Sequence, residues 1–75
     1  MTTIFDKPTI GDLILTYRKK HHLRREILAE RLGVRPETVH NWETGVFKPS
    51  IKALIRIADE MNVSLGTLYA IRQNR

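Results

Sequence analysis

Apolar residues recur at helical spacing in five short segments of the chain. The first segment follows Pro8 and Thr9 and carries Ile10, Leu13 and Tyr17 on one helical face. The basic stretch RKKHH comes next, and cations favour a helix C-terminus because they interact well with the helix dipole. This pattern predicts a first helix that ends in the basic stretch.

The second and third predicted helices lie on either side of a very short turn. The second runs roughly from Arg24 to Leu32 and is followed by a glycine. The third opens at Pro36, because proline fits a first helical turn, and closes at Gly45, an expected left-handed cap. A connection as short as Gly33-Val34-Arg35 forces two helices to cross steeply. These features predict a helix-turn-helix over about residues 24–45.

The residues near this turn suit such a crossing. Ala29 is small, and a larger side chain there would push the two helices apart. Gly33 supplies the positive φ that the turn requires. Val39 and Trp42, one helical turn apart, are expected to point into the core.

The rest of the chain predicts two more helices. The fourth has Ser50 as its N-cap, and its inward-facing residues are expected to be Ile51, Leu54, Ile55, Ala58 and Met61. The fifth starts after Ser64 and includes Leu65, Leu68 and Tyr69. Strand signals are nearly absent, since neither sustained alternation nor a hairpin turn occurs. We therefore expect one all-α, five-helix domain over residues 1–75, with its core between about 10 and 70.

Composition excludes several classes of protein. The 75-residue chain contains no cysteine, which removes disulfides, cysteine-based metal sites and cysteine nucleophiles. With no cysteine and only three histidines in the chain, no metal or other cofactor is expected. The acidic residues are scattered, and neither a nucleophile–base pair nor a glycine-rich phosphate loop is present. We do not expect an enzyme.

Charge and hydropathy indicate the compartment and the kind of partner. No apolar run approaches the about 18 residues of a membrane span, and the N-terminus lacks the features of a signal peptide. The sequence therefore predicts a soluble, cytoplasmic protein. The net charge of +5 and a pI near 10.1 favour an anionic partner, provided that the charges gather on one face.

From Gly11 to about Tyr69 the chain resembles the Cro and phage-repressor family of helix-turn-helix domains. The matching segments are Arg18, LAERLGV at 28–34, WETG at 42–45, Lys48-Pro49-Ser50, LIRIADEMNVS at 54–64 and Leu68. The resemblance implies a compact, lambda-repressor-like domain whose third helix enters the major groove of DNA. It also implies an ion pair between Arg18 and Glu43 that orients this recognition helix.

Contacts to DNA are carried over from the family pattern, position by position. The base-reading candidates are Glu37, Thr38, His40 and Asn41. Asn41 could pair with adenine and Glu37 could accept from cytosine, while Thr38 and His40 also suit phosphate or supporting contacts. The phosphate-contacting candidates are Arg24, Arg25, Arg35, Thr44 and Lys48, with Lys7 and Lys19 as further basic residues.

The chain departs from the family pattern at the start of both helices of the motif. Arg24 replaces the usual Ser or Thr cap, which should weaken the start of the second helix by about 1 kcal/mol. Arg25 replaces a glutamine that commonly contacts a phosphate, and it adds a full charge. Pro36 has no side-chain donor and cannot read a base by hydrogen bonding.

Two functions of different classes remain open at this stage. The first is a transcription regulator, with repression favoured, that binds a palindromic operator as a weak homodimer through Leu65, Tyr69 and Ile71. The second is a protein-interaction role, such as an antitoxin paired with a toxin or an adaptor that meets polymerase. A neighbouring toxin-like gene would favour the second function, and a gel shift with upstream DNA would favour the first. The chain could be a complete regulator or a fragment of a longer repressor.

Overall fold

The computed structural model describes residues 8–73 as α-helices joined by short connections. The helices are α1 (Ile10–Lys20), α2 (Arg25–Leu32), α3 (Pro36–Thr44), α4 (Ile51–Met61) and α5 (Leu65–Gln73). Residues 8–73 contain no strand, and none of their helices is long and apolar enough to cross a membrane. The predicted all-α, five-helix fold is confirmed.

The helices begin in two different ways. At the start of α1, the Thr9 hydroxyl accepts a hydrogen bond from the Asp12 amide, and the Asp12 carboxylate accepts one from the Thr9 amide, both at 3.0 Å. At α4 the Ser50 hydroxyl accepts a bond of 3.1 Å from the Ala53 amide, as predicted. Arg24 and Arg35 precede α2 and α3 in an extended conformation and make no side-chain cap. The helix-turn-helix therefore starts both of its helices without the usual hydroxyl.

Two glycines end the helices of this motif. Gly33 has a φ of 73° and Gly45 a φ of 83°, so both adopt the left-handed conformation that a side chain disfavours. Behind the first of them, the Val34 amide donates to the Ala29 carbonyl at 3.0 Å. The predicted ends of both helices are confirmed.

A single apolar core lies between the helices. Both helices of the motif contribute to it, and Val39 and Trp42 are buried as expected. The buried apolar residues are Ile10, Ile14, Leu28, Ala29, Leu32, Val39, Trp42, Leu54, Ile57, Ala58 and Leu68. Helix α3 packs against α1 and α2, and α4 packs against α2 and α5. The orientation of α3 is thus fixed from the inside by residues that face away from its exposed side.

The buried face of α4 differs from the predicted one. Ile55 is 52% exposed and Ile51 is 44% exposed, whereas Ile57 is 1% exposed. At about 100° per residue, Ile57 lies about 60° from Leu54 around the helix axis, whereas Ile55 lies about 100° from Leu54 on the other side. The prediction that Ile51 and Ile55 point inward was wrong because the apolar stripe of α4 is wider than the surface it packs against.

Helix α5 divides its apolar residues between the core and the surface. Leu68 is buried and Ile71 packs at the edge of the core. Leu65 and Tyr69 are 38% and 45% exposed. The dimer contact predicted from the sequence included Ile71. In the structure Ile71 packs against the core and does not share the exposed surface of Leu65 and Tyr69.

Gly11 allows α1 to approach the end of α3 closely. A Cβ atom at this position would collide with the backbone carbonyl oxygens of Trp42 and Glu43. These are backbone atoms of α3, so they cannot move aside as a flexible side chain would. Gly11 thus sets the distance between the first helix and the C-terminal turn of α3.

Candidate nucleic-acid interface

The outer side of α3 carries the four base-reading candidates. Glu37 and His40 are exposed, and Thr38 and Asn41 are half-buried. Glu37 and Asn41 lie opposite the buried side of the helix, since residues four apart share a face. The structure therefore brings the favoured pair together on one exposed surface, with Thr38 and His40 on its two flanks.

The backbone around Asn41 is tied to the loop that follows α3. The Asn41 carbonyl accepts hydrogen bonds from the amides of Val46 at 2.9 Å and Phe47 at 3.3 Å. Farther along the loop, Arg72 of α5 donates to the Pro49 carbonyl at 2.6 Å. These bonds link both α3 and α5 to this loop, which carries the exposed Lys48.

Basic side chains surround the motif. Arg24 and Arg35 are exposed and stand at the N-terminal ends of α2 and α3. Helix N-termini present free amides and a positive dipole end, so arginines placed there suit phosphate groups. Lys48 and Lys19 are also exposed, and Lys7 lies outside the described residues.

The Thr44 side chain is exposed, but its hydroxyl is already used in a hydrogen bond within α3. Its hydroxyl donates to the His40 carbonyl at 2.9 Å, with the Asn41 carbonyl at 3.4 Å. A hydroxyl has one proton to donate. Thr44 could therefore donate to a phosphate only after this bond within α3 opens.

Arg18 and Glu43 form a bidentate ion pair between α1 and α3. Arg18 Nε lies 2.7 Å from Glu43 Oε2, and Arg18 Nη2 donates to Oε1 at 3.1 Å. The hydrogen bonds to Glu43 raise the pKa of Arg18 against the opposing effect of burial. Arg18 Nη1 also donates to the Leu23 carbonyl at 3.2 Å. The pair therefore joins α1, the start of the motif and α3.

Arg25 approaches the same carboxylate from α2. Its Nε atom lies 3.6 Å from Glu43 Oε1, which is ion-pair range but too long for a hydrogen bond. A groove of about 250 Å³ opens beside it, lined by Arg25, Pro36, Glu37 and His40. This groove joins the start of α2 to the outer side of α3.

A second carboxylate network lies away from the start of the motif. Glu60 of α4 accepts hydrogen bonds at 2.8 Å from Arg31 of α2 and from the Tyr17 hydroxyl of α1. Burial acts to raise the pKa of Glu60, but the bonds from Arg31 and Tyr17 outweigh it and lower that pKa. Sequence reasoning missed this network because its members are far apart in the chain and no local pattern connects them.

Comparison with known proteins places this geometry in a family. The model of the Cro/C1-type helix-turn-helix family matches residues 14–68. An uncharacterised helix-turn-helix-type transcriptional regulator of Archaeoglobus fulgidus is 36% identical over 56 residues, which are 75% of this chain and 79% of that protein.

Two solved structures share the fold. The N-terminal DNA-binding domain of SinR from Bacillus subtilis has a TM-score of 0.69 and 33% identity, over 80% of this chain and 88% of that one. The P22 c2 repressor in complex with a synthetic operator has a TM-score of 0.75 over 83% of this chain and 94% of that one. Its identity of 24% makes it similar in fold alone. The family match, the related sequence and the shared fold agree, and the chain belongs to the Cro/C1-type helix-turn-helix family.

Proposed function

We propose that the protein is a sequence-specific DNA-binding transcription regulator, acting as a repressor, that places α3 in the major groove. The observation that carries this proposal is the exposed outer side of α3, held from the inside by Val39 and Trp42 and bordered by exposed arginines at two helix N-termini. The relative from Archaeoglobus fulgidus is named a transcriptional regulator, and the SinR domain is named a DNA-binding domain. The role is binding and needs no catalytic residue.

The contacts divide into base-reading and phosphate-binding residues. On α3, the Asn41 amide would pair with adenine and the Glu37 carboxylate would accept from cytosine N4, with Thr38 and His40 beside them. Phosphates would be held by Arg24, Arg25, Arg35 and Lys48, and by Thr44 once its hydroxyl is released. Phosphate contacts fix the register of the domain on the duplex, and base contacts select the site.

We further propose that the domain binds a palindromic operator as a weak homodimer. One recognition helix spans only about four or five base pairs, and a two-fold pair places two of them about one helical turn apart. Leu65 and Tyr69 lie one turn apart on α5 and are exposed. These two side chains are the proposed contact between copies of the chain.

The salt dependence of DNA binding tests the proposed function. With about four to six phosphate contacts per subunit, the logarithm of affinity should fall with the logarithm of salt at a slope of roughly −4 to −10. Selection of bound sequences from a random DNA pool would provide the operator for this titration. Affinity that does not change between low and moderate salt would contradict DNA binding.

Substitutions separate base reading from phosphate binding. Asn41→Ala should relax the preference at one base pair and cost roughly 1–3 kcal/mol on the selected site. Arg25→Ala should weaken binding to the selected and to random sequences alike. Equal losses for Asn41→Ala on both DNAs would show that Asn41 does not read a base.

Sedimentation tests the dimer. The free protein should be largely monomeric at low concentration and should bind the selected operator as two copies. A complex that contains one copy at saturating protein would contradict the dimer, without affecting the proposal that α3 binds DNA.

A further inference from the structure

The start of α2 and the end of α3 meet at one buried carboxylate. The Glu43 side chain is only 4% exposed, and arginines from two different helices contact it. Both Glu43 oxygens already accept hydrogen bonds from Arg18, at 2.7 and 3.1 Å. The carboxylate therefore has its charge balanced before Arg25 is counted.

Arg25 is held at this carboxylate by charge rather than by a hydrogen bond. Its Nε is buried and, within residues 8–73, has no hydrogen-bond partner, and it lies 3.6 Å from Glu43 Oε1. The Arg25 side chain as a whole is 39% exposed, so other atoms of the side chain face solvent. One side of the guanidinium thus faces inward to Glu43 while the rest of the side chain reaches the surface.

We propose that Glu43 positions Arg25 for contact with a DNA phosphate in the groove between α2 and α3, in addition to pairing with Arg18. The inference rests on the proposed function and deepens it. A guanidinium has five N–H donors in a rigid plane, so holding its Nε edge fixes the direction of the terminal nitrogens. The groove lined by Arg25, Pro36, Glu37 and His40 is the place where they would meet a phosphate, on the side of the groove away from the Glu37 carboxylate.

A simple charge argument predicts the opposite effect of Glu43. A carboxylate near a phosphate repels it, so replacing Glu43 with the neutral glutamine should strengthen DNA binding if electrostatics alone mattered. If Glu43 holds Arg25, the same replacement releases a long side chain that must then be ordered on binding, and DNA binding weakens. The sign of the effect therefore distinguishes the two roles.

The test measures binding of a short duplex of random sequence, which depends on phosphate contacts and not on an operator. The proteins are the wild type, Glu43→Gln, Arg25→Gln and the double variant. Glu43→Gln should weaken binding by about 3- to 10-fold, the range expected when one arginine loses its preordered position. In the Arg25→Gln background the same replacement should cause a clearly smaller loss, because only the pair with Arg18 is then broken. The matched control is Glu60→Gln, which removes a carboxylate bound to Arg31 and should leave duplex affinity unchanged.

Three outcomes would overturn the positioning role. Binding by Glu43→Gln that equals or exceeds that of the wild type would show that repulsion dominates. An equal loss with and without Arg25 would show that Glu43 acts through Arg18. A loss in Glu60→Gln as large as that in Glu43→Gln would show that breaking either interhelical ion pair has this effect. In each of these cases, salt-dependent binding of the duplex by the wild type would still support the proposed DNA-binding function. A wild type that does not bind the duplex would contradict the proposed function itself.

A second measurement needs no Glu43 variant, in case Glu43→Gln does not fold. By NMR of the wild-type protein, the buried Nε–H of Arg25 should exchange slowly with water, and its resonance should shift when the duplex is added. The exposed Arg24 is the internal reference for fast exchange. Equal exchange at both arginines would contradict the buried contact with Glu43, and a resonance that the duplex does not shift would contradict the phosphate contact.

Discussion

Helix α2 and helix α4 meet in the fold but begin in opposite ways. The Ser50 hydroxyl caps α4 by accepting a hydrogen bond from the Ala53 amide. At the same position α2 has Arg24, which makes no side-chain cap. A hydroxyl there satisfies the first amides of a helix, whereas an arginine leaves them free and adds a cation, which suits an anionic partner. The start of α4 is therefore stabilised by a capping hydrogen bond, whereas the start of α2 lacks this bond and carries a positive charge instead.

The largest expected effect is on the free energy of unfolding, and it comes from the buried face of α4. Leu54 is fully buried, and Leu54→Ala should lower the free energy of unfolding by about 2–5 kcal/mol, because it removes apolar contacts and leaves a cavity. The neighbouring Ile55 is 52% exposed, so Ile55→Ala should change that free energy by less than about 0.5 kcal/mol. Urea denaturation checks both. Similar losses at the two positions would contradict the observed face of α4.

The next effect concerns the contact between α1 and the recognition helix. Gly11→Ala should cost about 1–3 kcal/mol of stability, because its methyl group meets the carbonyls of Trp42 and Glu43 and must push α1 from α3. Gly66→Ala in α5 is the matched control, since open space surrounds that position. Alanine there should be neutral or stabilising, because it is the better helix former. Thermal unfolding of both variants tests the contact, and equal melting temperatures would contradict it.

Exchanging the two kinds of helix start tests the comparison directly. Ser50→Ala should destabilise the protein by about 1 kcal/mol, and Arg24→Ser should stabilise it by about as much through a new cap. Arg24→Ser should also weaken binding to random duplex DNA and reduce the salt slope by about 1, since one phosphate contact is lost. Urea denaturation and a salt titration measure the two effects. Unchanged DNA binding by Arg24→Ser would show that the charge at the start of α2 serves no DNA contact.

The smallest effect is the pH dependence that Glu60 contributes. Its pKa is lowered in the folded protein, so its stabilising contribution is present above the unfolded pKa of about 4.3 and is lost as pH falls through the folded value. Glu60→Gln should therefore lower the melting temperature slightly at neutral pH, and the difference from the wild type should shrink in acid. A difference that stays constant from pH 7 to pH 3 would contradict this contribution.

Local patterns were enough to predict the helices and the motif. Gly33 and Gly45 marked the ends of α2 and α3, and Pro36 marked the start of α3, because the conformations of glycine and proline are set within one or two residues. Apolar spacing also predicted that Val39 and Trp42 are buried. The candidate site followed from the family resemblance, which assigned residues to positions along α3.

Details of the buried faces were less predictable. Helical spacing allowed both Ile55 and Ile57 of α4 to be buried, and only the neighbouring helices decided between them. The same holds for α5, where Ile71 packs on the core while Tyr69 is exposed. An apolar side chain is buried only if another element covers it, and a single helix contains no information on its neighbours.

The sequence by itself determined where the helices begin and end, that two of them form a helix-turn-helix, and that basic residues border this motif. It did so because these properties depend on residues that are close along the chain. The tertiary structure alone decided that Gly11 sets the spacing of α1 and α3, that Glu60 joins three helices, and that Arg25 shares Glu43 with Arg18. Such contacts join residues far apart in sequence, and their geometry exists only once the helices have packed.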